Sequence, residues 1–147
     1  MTATTYATVR NNVQSTIYGI LSTDTTITTT LGCTHILDGS LYKLTEERGF
    51  PYIVINTPTS FHNNRVIDNS NFTQEITVSI TVASIQESVV RQLADAVIGA
   101  LNSKQSVTRA AKLNWFKLLS TNLRPFLMDN GDTVHLYEIN VGYKFIG

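Results

Sequence analysis

Charge is scarce in this sequence. Only 15% of its 147 residues are Asp, Glu, Lys or Arg, against about a quarter in an ordinary globular protein. The eleven basic and eleven acidic residues cancel, and no run of Lys or Arg occurs. There is then no overall field to draw in a nucleic acid, so a dedicated DNA or RNA binder is not expected. A single cysteine, Cys33, excludes an internal disulfide and any cysteine cage for a metal. No apolar run approaches the roughly 20 residues that span a bilayer, and "MTATTYATVRNN" lacks the charged and apolar regions of a signal peptide. No membrane partner is expected, and synthesis in a reducing cytoplasm is. Phosphate-cradling glycine motifs and the G-x-S-x-G elbow are also missing.

Hydrophobic residues, at 42%, are sufficient for one proper core, and the chain reads as a single domain over residues 1–147. Its polarity comes largely from Thr, Ser and Asn. A surface poor in charge repels its neighbours weakly, which suits a chain that packs against copies of itself.

Two periodicities organise the chain. Tyr6, Val9, Val13, Ile17 and Ile20/Leu21 recur by threes and fours, predicting a helix from about Thr5 to Ser22. "DTTITTTLG" fits a short helical turn capped by Asp24 and closed by Gly32, although its β-branched residues equally favour an extended piece. A short strand, a turn at Asp38-Gly39 and a second extended piece follow. The strand from Pro51 to Thr57 is apolar on both faces at Tyr52-Ile53-Val54-Ile55, as in a strand covered on each side.

In "TQEITVSITVASIQESVVRQLADAVIGAL" the period changes from two to about 3.6. Ile76, Val78, Ile80 and Val82 point to a core, while Thr77, Ser79 and Thr81 point the other way, to a polar but uncharged face. Val90, Leu93, Val97 and Leu101 then line one side of a helix. Beyond it, "LNWFKLLSTNLRPFLM" reads as one or two strands with an irregularity before Pro125. Asp129 to Asp132 form a turn, and a final strand carries Ile139, Val141, Tyr143 and Phe145 on one face. Val134 and Leu136 fall in the opposite phase, and a bulge near Tyr137-Glu138 would reconcile them. The expected fold is α+β: a mostly antiparallel β-sheet, two main helices packed on one face, and a long extended β-hairpin or loop arm.

That arm is the polar stretch from Pro58 to Asn71. Long connections in compact domains tend to be functional. Phe61, Val66 and Ile67 together suggest a tip that becomes covered, so Phe61, His62, Asn63, Asn64, Arg65, Val66 and Ile67 are the candidate protein-contact residues.

Chemistry is harder to find. His35, His62 and His135 sit at no metal-ligand spacing, and Glu46-Glu47 point apart along an extended chain. Asp129, Asn130 and Asp132 lack the remaining ligands of a calcium loop. Cys33 and His35, two apart on one strand face, make the best nucleophile–base couple, a distant alternative in which the protein is a small Cys/His enzyme. Trp115, Phe116, Tyr137, Tyr143 and Phe145 read as core or interface packing rather than a base-stacking platform. No catalytic, metal or cofactor residue is assigned, and no cofactor is expected.

The order of an N-terminal helix, "GFPYIVIN", a long polar excursion, "FTQEITVSITVAS", the helix "SVVRQLADAVIGAL" and the late strand "HLYEINVGYKFI" resembles that of the tail-terminator and tail-completion proteins of long-tailed bacteriophages. The likeness runs from Tyr6 to Ile146. It implies a non-enzymatic virion structural protein, assembled in the host cytoplasm and located in the tail or neck. It would form a homohexameric ring that caps the tail tube, stops its polymerisation and offers the head-joining surface. The implied partners are copies of itself, the tail tube protein and a head-completion or connector protein, with DNA only passing through the channel. A head–tail connector or neck ring is the alternative in the same class.

Overall fold

The structure is a computed structural model that describes residues 6–38, 51–56, 62–63, 73–127 and 131–146. The expected α+β class is what it shows. Strands β1 (His35–Asp38), β2 (Tyr52–Asn56), β3 (His62–Asn63), β4 (Thr73–Ser84), β5 (Leu113–Leu127) and β6 (Thr133–Ile146) form one sheet in the order β1-β2-β4-β6-β5, with β3 also paired to β4. Among the described residues only the β1–β2 pair is parallel. Helix α1 (Tyr6–Thr23) and helix α2 (Glu87–Ser103) cover one face.

The local causes are readable. Past α1, Thr26–Thr30 make a π-helical turn, in which Asp24 Oδ1 accepts the Ile27 N–H at 3.1 Å and Gly32 turns the chain at φ +66°. The helical option at "DTTITTTLG" is therefore the one taken. Glu87 opens α2 at the positive end of its dipole and pairs with Arg91 one turn on, at 2.8 Å.

Beneath the helices, isoleucines run across the sheet. Ile55, Ile80 and Ile139 stand in register on β2, β4 and β6, and each is fully buried with Ile17 and Leu21 of α1 and Leu93, Val97 and Leu101 of α2. Both faces of β2 are covered as expected: Ile53 and Ile55 join this core, while Tyr52 and Val54 join a second cluster with Ala83, Val134 and Leu136.

That second cluster corrects two expectations. The β4–β6 register is unbroken from Thr73↔Ile146 to Ser84↔His135, so there is no bulge at Tyr137-Glu138. Val134 and Leu136 change phase because they serve the other face of the sheet. Thr81, expected on an open polar face, is likewise buried there, 1% exposed, between Val54 and Glu138, and its Oγ1 has no hydrogen-bond partner. A buried hydroxyl without a partner costs about 1–3 kcal/mol. Thr81→Val keeps the shape and removes the hydroxyl, so it is expected to raise Tm by roughly 2–4 °C in thermal denaturation. A fall would mean that Oγ1 is satisfied.

The segment after α2 also differs. Helix α3 (Gln105–Ala110) stands where no helix was expected, and "LNWFKLLSTNLRPFL" is a single strand. Its irregularities lie between Asn114 and Lys117 and between Leu118 and Ser120, earlier than the one expected before Pro125. Leu127 pairs with Thr133, and Asp129 and Asn130 of the expected turn lie outside the described residues. At Asp38-Gly39, β1 ends as expected, but its partner among the described residues is β2. Glu46-Glu47 lie outside the described residues.

Candidate functional site

Cys33 has the chemistry of a structural thiol. It is fully buried in the helix-side core. Its S–H faces backbone carbonyls, Pro51 O at 3.6 Å and His35 O at 3.9 Å. Burial pushes the thiol up to about 11, with the hydrogen bond to the His35 backbone opposing it weakly. A nucleophilic cysteine requires the reverse shift. The imidazole of His35 lies instead against Tyr52, with ring centroids 5.7 Å apart, and Tyr52 belongs to the other face of the sheet. The expected same-face Cys33–His35 couple is not formed, because the chain enters β1 only after Cys33.

The other two histidines stand on different strands. His135 sits at the start of β6 opposite Ser84, and the backbone of His62 pairs with Glu75. No three His, Cys, Asp or Glu gather among the described residues. No described helix is long and apolar enough to cross a membrane.

Of the candidate contact residues, His62 and Asn63 form β3, antiparallel to Glu75 and Gln74. This pairing ties the start of the arm to the start of β4. Phe61, Asn64, Arg65, Val66 and Ile67 lie outside the described residues.

The surface that sequence reasoning missed is β5. It is the outermost strand beside β6, and from Lys117 to Leu127 almost every residue is exposed, on both faces. Leu118 continues the helix-side row of Val78 and Val141 but is 47% exposed, since α1 and α2 stop short of it. Leu127 is 70% exposed, and Leu119 and Phe126 about half. On the opposite face Asn140 Nδ2 donates to Ser120 Oγ at 2.9 Å and to Glu138 Oε1 at 3.3 Å, while Arg124 approaches Glu138 at 3.8 Å.

Where β5 bulges, Trp115 takes φ +56°, a left-handed conformation uncommon for a bulky residue. It is 63% exposed, unlike Tyr143 and Phe145, which are buried, and Phe116 and Tyr137, which pack on the core. Of the core or interface packing expected for the five aromatics, four are thus in or against the core, and Trp115 is not. Lys144 Nζ lies 5.3 Å from the Trp115 ring centroid, a cation–π contact. Beside them is a hollow of about 380 Å³ lined by Glu75, Thr77, Lys117, Leu119 and Gly142. A Cβ on Gly142 would come within 3.2 Å of the Leu119 side chain, so the glycine lets Leu119 settle onto the sheet.

No protein-family model matches the chain, and no curated protein matches it. Among solved structures it is similar to a chain of the virion of a native gene transfer agent (GTA) particle. The match has a TM-score of 0.56 at 14% identity and covers 97% of this chain and 100% of that one. The likeness is one of fold.

Strand β5 itself was expected, and its exposed surface also had a signal in the sequence. Leu118-Leu119 and Phe126-Leu127 are adjacent apolar pairs, and in a strand each pair must present one member to either face.

Proposed function

We propose that the protein is a structural component of a phage-like virion, acting as a tail terminator: a ring of copies that caps the tail tube, stops its growth and presents the head-joining surface. The end-to-end match with a chain of a gene transfer agent virion carries this reading. The raised pKa of Cys33 and its separation from the His35 ring support a role in fitting rather than reacting. The exposed apolar side chains along β5, in a chain with few charged residues overall, suit burial in an assembly.

The test is electron microscopy of particles made with and without this chain. Overlong tails, or tails not joined to heads, are expected in its absence; tails of normal length and attachment would reject the role. Purified protein is expected to bind tail tubes, and binding only to DNA-filled heads would transfer it to the neck.

The arm supplies a narrower prediction. In this reading Phe61, His62, Asn63, Asn64, Arg65, Val66 and Ile67 contact a neighbouring copy or the tube. Replacing residues 61–67 by a Gly/Ser linker is expected to leave Tm within a few degrees but to abolish tube capping, scored as tail-length distribution. Unchanged tail lengths would remove the arm from the interface.

A further inference from the structure

Neutral overall, the chain is not neutral locally. Between Ala96 and Leu127 stand Lys104, Arg109, Lys112, Lys117 and Arg124 and no Asp or Glu. These are five of the eleven basic residues, which leaves six basic against eleven acidic in the rest of the chain. All five are exposed, and they fall on α3, β5 and the turns around α3. The same wing carries the exposed Leu118, Leu119, Phe126 and Leu127 and the outer edge of the sheet. An apolar edge strand, open on both faces, is a template for pairing with another chain.

Charge decides which chain. Two wings meeting about a two-fold axis would bring Lys104, Arg109, Lys112 and Lys117 against their own counterparts, with Arg124 alone partly offset by Glu138. A wing meeting the acid-richer remainder of a second copy brings opposite charges together. A contact between two different patches of identical subunits is head-to-tail, and when its rotation closes it makes a ring. A nucleic acid fits less well, because Arg124 is engaged by Glu138 and Glu75 stands across from Lys144 on the same face.

We propose that the α3–β5 wing is one half of a head-to-tail interface, seated against the acid-richer remainder of the next copy. This rests on the ring reading above and names the surface that builds the ring.

The experiment measures the mass of the full-length chain against concentration and salt, by light scattering and native mass spectrometry. Wild type is expected to associate, less so at high salt. Lys117→Glu/Leu118→Ser/Leu127→Ser is expected to weaken association about a hundredfold. Lys117→Glu alone, with circular dichroism to confirm folding, is expected to weaken it about tenfold.

Mixing identifies the kind of contact. The triple variant keeps the receiving surface, so a tagged triple variant is expected to retain untagged wild type. Failure to retain it, with wild type forming only dimers, would indicate a two-fold contact and overturn the inference. Variants that associate as wild type does would place the interface elsewhere while leaving the ring intact. A monomeric wild type would also overturn the inference, and the particle phenotype would judge the ring independently. Loss of binding to a 30-base-pair duplex in the triple variant, at unchanged mass, would make the wing a nucleic-acid surface instead.

Discussion

Replacing Ile80 by alanine is expected to cost about 3–4 kcal/mol and to lower Tm by roughly 10 °C. Ile80 is the middle member of the Ile55–Ile80–Ile139 row and is fully buried below α2. Its neighbours on both adjacent strands are held in place by the hydrogen-bonded ladders, so the surroundings collapse poorly into the space left behind. Deleted methyls therefore cost both their transfer energy and a cavity. Ile85→Ala is the control: Ile85 follows β4 directly, is about half exposed, and should change stability by no more than about 0.5 kcal/mol. Urea denaturation with a common m-value measures both. Equal effects at the two positions would contradict the register of β4.

The second large effect is a loss of stability in alkali. The Cys33 thiol is raised from 9.0 to about 11 by burial, and burial also raises the Tyr143 phenol, whose hydroxyl has no hydrogen-bond partner. Both groups are neutral when protonated, and the folded state holds those protons more tightly. Stability is thus fully present below pH 9 and falls as the unfolded chain alone begins to ionise. For Cys33, a separation of about two pH units corresponds to roughly 2–3 kcal/mol lost between pH 9 and 11. Tyr143 adds a loss of the same sign, beginning near its ordinary value of 10.0. Urea midpoints between pH 7 and 11 should show this decline, and Cys33→Ala should flatten its first part while slightly lowering stability at pH 7. A thiol reagent should react slowly with the native protein at neutral pH. Fast reaction would indicate an accessible thiolate and reopen a catalytic role for Cys33.

The sequence made one layer of the protein legible and left the other hidden. Ile76, Val78, Ile80 and Val82 alternate strictly, and Val90, Leu93, Val97 and Leu101 keep helical spacing, because each set serves a single large core. Periodicity reports a face that is buried along its whole length. It failed where burial changes sides. In β6, Val134 and Leu136 belong to one face and Ile139 onwards to the other, which in one dimension looks like a slip of register. It failed again along β5, where both faces are exposed and no core imposes a pattern. Helix α3 is only six residues long, too short for a recognisable period. For the site, Cys33 and His35 looked like partners because they are two apart. Cys33 precedes the strand, so the alternation of a strand does not govern it.

The pairing of β4 with β6 has a consequence for how the protein is made. These neighbours in space are separated in sequence by α2, α3 and β5. Contacts so distant along a chain close slowly. On a ribosome adding 5–20 residues per second, the apolar side of β4 waits on the order of 3–10 s before residue 133 is even synthesised. Helix α1 is already made, and helix α2, local in its bonding and directly downstream, is the next shelter to emerge. Nascent chains stopped before β6 are therefore the species most in need of a chaperone.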